Sequence, residues 1–223
     1  MDDHDDFAFE PIRGLPAELP RDERLIWQGA PDWRLLAIEA FHLRKVAIYF
    51  AIVAAWQWSS AMADGASFLE AGAGLRALGL SAAGSLSILA GLAWLYARTT
   101  VYTLTSRRIV TRSGLALPVT LNLPLSLIEN AALARNGKGG GIAFEVKKPN
   151  RVAWLVAWPS ARPWRFNHPQ PMFRALRDPV AVAELVAGAL SQTAGASRAT
   201  PVRVTRAPGK TVNGLAPDAG HLA

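Results

Sequence analysis

The sequence predicts an α+β membrane protein, in which a two-helix transmembrane hairpin is followed by a small antiparallel β-sheet or barrel with a C-terminal helix. Three observations support this fold class. Two long uncharged apolar runs lie close together, at 46–63 and 77–97. After them, short apolar runs alternate with turn-forming residues, which is typical of antiparallel strands. The chain is 51% hydrophobic and only 18% charged, a low charged fraction for a soluble protein.

Each apolar run is long enough to cross a bilayer as a helix. The runs read VAIYFAIVAAWQWSSAMA and ALGLSAAGSLSILAGLAWLYA, and about 20 residues of helix span the hydrocarbon core. A buried helix of a soluble domain is the alternative. Two neighbouring runs flanked by charges and aromatic residues favour two membrane spans. Gln57 lies near the far end of the first run, where interfacial water is more plausible than a proton path.

Basic residues flank the outer ends of the predicted hairpin. Arg34, Arg44 and Lys45 precede it, and Arg98, Arg107, Arg108 and Arg112 follow it. The short connecting loop carries only Arg76, together with Asp64 and Glu70. Cytoplasmic flanks of membrane helices are enriched in Lys and Arg. We therefore expect a multi-pass protein with both termini in the cytoplasm.

The second run carries a small residue at every fourth position: Gly79, Ala83, Ser87 and Gly91. Such a stripe allows another helix to approach closely in a membrane. Two interpretations are open. The stripe packs against the first span of the same hairpin, or it is a docking face for a second membrane protein.

Upstream of the hairpin, we expect residues 1–30 to form an extended cytoplasmic segment, in which Leu25 and Trp27 alternate as in a short strand or turn. Pro31 and Asp32 then provide a helix start signal. The helix predicted to start there has apolar positions that continue into the first span without an obvious break: Leu35, Ile38, Leu43 and Val46. It is therefore expected to join that span.

Downstream of the hairpin, residues 98–192 are expected to form a cytoplasmic β-domain. The segment VYTLTSRRIVTRSG predicts two strands joined near SRR, and LPVTLNLPLSLI, GIAFEV and RVAWLVAWP predict further β-rich segments. The segment 178–192 begins with Asp-Pro and has one apolar face, which predicts a helix closing one end of the sheet. Residues 193–223 have no periodic core pattern and are expected to be disordered.

The β-domain segment is strongly basic. Residues 98–177 contain thirteen Lys and Arg and two Glu, a net charge of +11. This charge implies an anionic partner, and the arginine cluster Arg98, Arg107, Arg108 and Arg112 is the expected contact with anionic lipid or an acidic protein surface. Nucleic acid is disfavoured, because the domain is tethered to the membrane and has no base-stacking motif.

No pattern in the sequence indicates catalysis, a metal or a cofactor. Cysteine is absent, and the four histidines are far apart in the chain: His4, His42, His168 and His221. RNGKGGGI superficially resembles a phosphate-binding loop, but its spacing and the missing Ser or Thr after the lysine do not match. A flexible hairpin turn is preferred there, with contact to a phosphate or an acidic loop as the weaker alternative.

The run AWLVAWPSARPW contains three tryptophans. Trp154 and Trp158 are an even number of residues apart and would share one face of a strand, and Trp164 follows the prolines. They either pack in the core or form an exposed aromatic patch for a partner or the membrane surface.

Two segments resemble a known family. ERLIWQGAPDW before the spans and YTLTSRRIVTRSG after them are similar to the two halves of bacterial pleckstrin-homology-like membrane proteins, with their "ExxxWxGxP" leader and "Y-x-L-T-x-x-R-I" strand pair. More narrowly, FEPIRGLPAELPRDERLIWQGAPDWRLLAIEAFHLRKVAIYF resembles the N-terminal region of PuhB-type photosynthetic complex assembly proteins of purple bacteria. The similarity extends to about residue 190.

The resemblance implies a pleckstrin-homology-like β-barrel with a C-terminal helix, in the intracytoplasmic membrane. It also implies a non-enzymatic factor that helps to assemble the photosynthetic reaction centre, with a secondary effect on the core light-harvesting complex. Reaction-centre subunits, other assembly factors, membrane lipid and a second copy of the chain are the partners expected. A general membrane adaptor that binds anionic lipid or protein is the alternative. No catalytic residue is carried over.

Overall fold

The computed structural model describes residues 14–15, 17–114, 119–136, 139–150, 152–153, 158–162, 167–196 and 204–206. It contains two long apolar helices, two four-stranded sheets that are mostly antiparallel, and a helix near the C-terminus. The fold class predicted from the sequence is confirmed.

The helical hairpin consists of α2 (Leu43–Ala63) and α3 (Phe68–Thr99). Both helices are long and apolar enough to cross a membrane by length and composition, with mean hydropathy of 1.4 and 1.7. A capping box stabilises the start of α3: the Ser67 hydroxyl accepts from the Glu70 backbone N–H, and the Glu70 carboxylate accepts from the Ser67 N–H. Both helices extend beyond the predicted spans, because capping and packing set their ends rather than hydropathy alone.

A separate short helix, α1 (Trp33–Glu39), precedes the hairpin. The expectation that it joins the first span was wrong. The chain turns at residues 40–42, where His42 adopts a left-handed conformation with φ of 55°. This break lets α1 bury Leu36 beside Ala97 of α3, an apolar contact that a continuous helix could not make.

The first sheet has the order β1-β2-β3-β4, with strands Leu25–Gly29, Val101–Thr105, Arg108–Ser113 and Val119–Pro124. Strand β1 pairs antiparallel with β2, so that Gly29 lies opposite Tyr102. The N-terminal segment expected to be extended thus contributes a strand to the β-domain. The whole of α1, α2 and α3 is inserted between these two paired strands.

The second sheet has the order β7-β6-β5-β8, with strands Met172–Leu176, Gly139–Val146, Ile128–Asn136 and Val204–Arg206. A short 3-10 helix, Leu125–Leu127, connects β4 to β5. Strand β8 pairs parallel with β5 and comes from the tail for which the sequence predicts disorder. Most of the segment RVAWLVAWP lies outside the described residues, and its described part is not a strand.

The core of the β-domain is filled by side chains from both sheets and is closed by α4 (Pro179–Ala196). Tyr102, Phe144 and Phe173 are fully buried and in ring contact, with centroids 4.7 and 5.1 Å apart around Phe173. Val186 and Leu190 of α4 complete this core. The helix predicted from Asp178 is confirmed, and it continues four residues beyond the predicted end at Gln192.

Candidate functional site at the junction of the hairpin and the β-domain

Arg174 of β7 lies at the point where the hairpin meets the β-domain. Its side chain is buried, and it donates to the carbonyl oxygen of Pro159 (3.1 Å) and to that of Glu39 at the end of α1. Its backbone N–H donates to the Tyr102 hydroxyl (3.2 Å). Burial lowers the pKa of Arg174, and the negative charge of Glu39 opposes that shift. One buried cation therefore connects α1, the loop at 158–162 and the core of the domain.

A second connection joins the start of α1 to the end of β7. The Asp32 carboxylate accepts from the backbone N–H groups of Arg34 and Leu35, which caps the helix, and from Nε of Arg177 at 2.6 Å. The Asp32 backbone N–H donates to the carbonyl oxygen of Ala175 at 2.8 Å. The helix is thus fixed at both ends to one strand.

Aromatic rings fill the same junction. Trp158 is edge-on to both Tyr96 of α3 (5.5 Å between centroids) and Phe41 (6.1 Å). Trp158 stays 39% exposed, so it belongs to the surface between the hairpin and the domain rather than to the central core. Trp154 and Trp164 lie outside the described residues.

The glycines of RNGKGGGI have a packing role that the sequence did not reveal. Gly137 and Lys138 lie outside the described residues, whereas Gly139, Gly140 and Gly141 are buried strand residues of β6. A Cβ at Gly139 would lie 2.4 Å from a methyl carbon of Leu35, and one at Gly140 would lie 2.2 Å from a backbone oxygen of β5. Glycine here allows α1 and the neighbouring strands to approach closely.

An open cleft of about 370 Å³ separates the α1–α2 turn from β5, β6 and β7. Four ionisable side chains line it: Glu39, His42, Lys45 and Arg174. Burial lowers the pKa of His42, and the positive charges of Lys45 and Arg174 lower it further. The charged form of His42 is therefore disfavoured in a cleft that already contains the cations Lys45 and Arg174.

The structure does not bring the four predicted contact arginines together. Arg112 lies opposite Val101, near the end of α3, whereas Arg107 and Arg108 are at the opposite end of the β2–β3 hairpin. Arg107 pairs with Asp22, and Nε of Arg108 lies 2.8 Å from the Glu23 carboxylate. The four arginines thus do not form a single cluster, because strand pairing separates residues that are close in sequence. Their contact with anionic lipid or an acidic protein surface stays a prediction.

Contacts of Glu23 connect the two segments that resemble bacterial pleckstrin-homology-like proteins. Its carboxylate is buried and accepts from the Thr105 hydroxyl (2.6 Å) and from Arg108. Thr105 in turn accepts from the backbone N–H groups of Arg107 and Arg108. The acid of the leader and the Thr and Arg of the strand pair thus form one hydrogen-bonded unit across more than 80 residues. No local sequence pattern could have revealed this contact.

The small-residue stripe is mostly exposed. Gly79, Ala83 and Ser87 are exposed and Gly91 is half-buried, and a Cβ at Gly79 or Gly91 would meet no atom within 4 Å. Trp58 of α2 approaches Gly72, which lies seven residues before Gly79 and therefore on nearly the same side of α3. Among the described residues, no atom fills the space beside Gly79 or Gly91.

Within the described part of the chain, no group of three or more His, Asp or Glu side chains could hold a metal ion. His168 lines a second cleft of about 260 Å³ with Glu129 and Glu145. His4 and His221 lie outside the described residues.

Comparison with known proteins places these features in a family. Residues 35–138 match the model of the bacterial PH domain. The chain is also 40% identical over 214 residues to an uncharacterized 23.7 kDa protein in the puhA 5' region of Rhodobacter capsulatus, covering 93% of this chain and 95% of the relative. No solved structure matches. The chain therefore belongs to the family of this Rhodobacter protein and carries a bacterial PH domain.

Proposed function

We propose that this protein is a non-enzymatic assembly factor for the photosynthetic reaction centre, with a secondary effect on the core light-harvesting complex. It acts in the intracytoplasmic membrane with both termini in the cytoplasm. The observation that carries this proposal is the near full-length similarity to a protein of the puhA region. That locus agrees with the PuhB-type resemblance of the leader and the first span.

The proposed mechanism is transient binding of incoming membrane subunits. Gly79, Ala83 and Ser87 offer an exposed small-residue face on α3, and such faces allow close helix contact in lipid, where packing replaces the hydrophobic effect as the driving force. The β-domain is fixed to α1, at the end of the hairpin, by Arg174 and Asp32. A bound subunit would thus meet a helix face and a basic domain in a fixed arrangement.

The test is genetic and spectroscopic. Deleting the gene should lower the near-infrared absorption of the reaction centre, and the wild-type gene should restore it. Unchanged reaction-centre absorption in the deletion strain would refute the proposal.

A matched pair of variants tests the helix face. Gly79→Leu places a large side chain on the stripe, whereas Ser81→Leu places it two residues further on, about 160° around the helix. Both positions are exposed, so both variants should fold and insert equally. We expect Gly79→Leu to reduce complementation of the deletion strain and Ser81→Leu to restore it. Equal complementation by both would exclude the stripe as the contact face.

A further inference from the structure

Three tryptophans lie on the elements that meet at the domain-side end of α3. Trp33 is the first residue of α1, whose Leu36 packs with Ala97 of α3. Trp94 lies near the end of α3, and Trp158 comes from the loop that packs on Tyr96. Their exposed fractions are similar, at 38%, 45% and 39%, so each ring is partly buried and partly open.

An arginine guanidinium lies over two of these rings. The guanidinium carbon of Arg34 lies 5.4 Å from the centroid of Trp33, and that of Arg98 lies 5.4 Å from the centroid of Trp94. Tryptophan is enriched at headgroup level, where one side of the ring is apolar and the other is wet. We call Trp33, Arg34, Trp94, Arg98 and Trp158 the tryptophan collar.

The length of α3 and the position of its charges indicate where a bilayer surface would cross the helix. Its 32 residues extend about 48 Å, whereas the hydrocarbon core is about 30 Å thick. Glu70 and Arg76 lie in the part of α3 next to the α2–α3 loop, and residues 77–97 are uncharged. The uncharged part alone matches the core thickness, and it ends at the collar.

The start of helix α2 indicates a different position for the bilayer surface. Trp58 lies beside Gly72, so that Arg44 is level with about residue 86 of α3, roughly 16 Å short of Ala97 in this antiparallel pair. A bilayer surface at Arg44 would leave Ile88, Trp94 and Leu95 in water, although they are 65%, 45% and 41% exposed. A surface at the collar instead places the backbone of Arg44 and Lys45 below that surface. Snorkelling of these long basic side chains covers part of the distance, and local thinning of the bilayer beside the shorter helix covers the rest.

We propose that the tryptophan collar lies in the headgroup layer of a phospholipid bilayer, so that α1 and the Trp158 loop contact lipid. This inference rests on the membrane insertion contained in the proposed function. Trp94 lies on α3 itself, among the exposed apolar residues Leu92 and Leu95, and Arg34 and Arg98 supply the charge that suits anionic headgroups. Since only Thr100 separates α3 from β2, the β-domain then rests on the bilayer without a spacer.

The chain contains no cysteine, so single-cysteine variants can each carry one nitroxide label. Ile38→Cys reports on α1 and Leu95→Cys on the end of α3. Val119→Cys on β4 is the aqueous control, because Val119 and Ile38 are both 38% exposed. Ile52→Cys, in the middle of α2 and 63% exposed, is the control for insertion. The full chain is reconstituted in vesicles of phosphatidylcholine and phosphatidylglycerol.

The measurement is the collision rate of each label with oxygen, which enters lipid, relative to a water-soluble nickel chelate. We expect the ratio at Ile38 and Leu95 to be several-fold above that at Val119 and below that at Ile52. Ratios at Ile38 and Leu95 equal to that at Val119 would overturn the proposal that the collar lies in the headgroup layer. A high ratio at Ile52 in the same experiment would show that the hairpin is nevertheless inserted. Protection of Ile38 and Leu95 from both reagents would mean that protein, such as a second copy, covers the collar, which also overturns the proposal. A low ratio at Ile52 would refute insertion itself.

Discussion

Glu23 has a buried carboxylate that is held by hydrogen bonds. Its carboxylate accepts from Thr105 and Arg108, and its side chain is only 3% exposed. Glu23→Gln removes the charge and leaves Arg108 partly unpaired, so we expect the free energy of unfolding to fall by about 2 kcal/mol. Urea unfolding of the detergent-solubilised protein, followed by tryptophan fluorescence, measures this change.

The neighbouring pair is the control for that prediction. Asp22 and Arg107 form an ion pair with both side chains about 60% exposed, and exposed pairs contribute well under 1 kcal/mol, roughly 0.5 or less. Asp22→Asn should therefore leave the unfolding curve almost unchanged. An equal loss in the two variants would contradict the distinction between the buried and the exposed acid.

Asp32 gives the junction a pH dependence. Burial by itself would raise the pKa of Asp32, but the hydrogen bonds from Arg177, Leu35 and Arg34 outweigh it and hold the pKa below 3.8. Because the folded pKa is below the unfolded one, ionised Asp32 stabilises the fold above about pH 4, and this contribution is lost as the pH falls through the folded value. Asp32→Asn keeps the helix cap but loses the ion pair with Arg177, and it should cost about 0.5 kcal/mol at pH 7. Unfolding curves at acid and neutral pH should show that difference shrinking in acid, and a pH-independent difference would contradict this assignment.

At the scale of single elements, β6 depends on Gly140. An added Cβ would lie 2.2 Å from the Ala134 carbonyl oxygen on β5, and neither backbone can move without disturbing the strand pair. We expect Gly140→Ala to destabilise the domain by about 2–3 kcal/mol. Thermal unfolding followed by circular dichroism is the measurement.

Gly188 on α4 offers the matched substitution. A Cβ there would meet nothing within 4 Å, and alanine is preferred over glycine inside a helix by about 1 kcal/mol. Gly188→Ala should therefore raise the melting temperature slightly. If Gly140→Ala also left the melting temperature unchanged or raised it, the close approach of β5 and β6 would not be a constraint.

The elements that sequence could predict are those specified by local patterns. Hydropathy was sufficient for α2 and α3, and alternation for β2 and β3. The break before α2 could not be predicted, because His42 carries no helix-breaking signal and the apolar positions continue through it. Strand β5, with the sequence IENAALARN, lacks an alternating pattern strong enough to identify it. Its pairing with β6 depends on glycines whose role appears only once α1 packs against them.

The candidate site was less predictable than the fold because its contacts are distant in sequence. Arg174 has no recognisable motif, and it acts through the carbonyl oxygens of Glu39 and Pro159. The predicted arginine cluster was inferred from proximity in the chain, whereas the β2–β3 register sends Arg112 and Arg108 to opposite ends of one hairpin. The small-residue stripe depends only on helix periodicity, so its position on one side of α3 followed from the sequence, whereas its exposure did not.

At the scale of the whole molecule, the hairpin is an insertion between the paired strands β1 and β2, with Gly29 opposite Tyr102. Both ends of the hairpin therefore leave one sheet side by side, and Arg174 and Asp32 fix the intervening helix α1 to β7. With so little free chain at either end, the β-domain and the hairpin should behave as one rigid body rather than as two tethered parts.

Paired nitroxide labels can measure this rigidity, because the chain has no cysteine of its own. Leu69→Cys on α3 and Leu185→Cys on α4 are well exposed, at 85% and 41%, and lie in the hairpin and in the β-domain. Pulsed electron–electron double resonance should give one narrow distance distribution in the wild-type background. Arg174→Met removes both bonds of the guanidinium to carbonyl oxygens and leaves these oxygens without that donor, so the distribution should broaden. Glu23→Gln weakens the sheet away from the junction and should leave the distribution narrow; broadening in both variants would mean that overall stability, rather than Arg174, holds the domain in place.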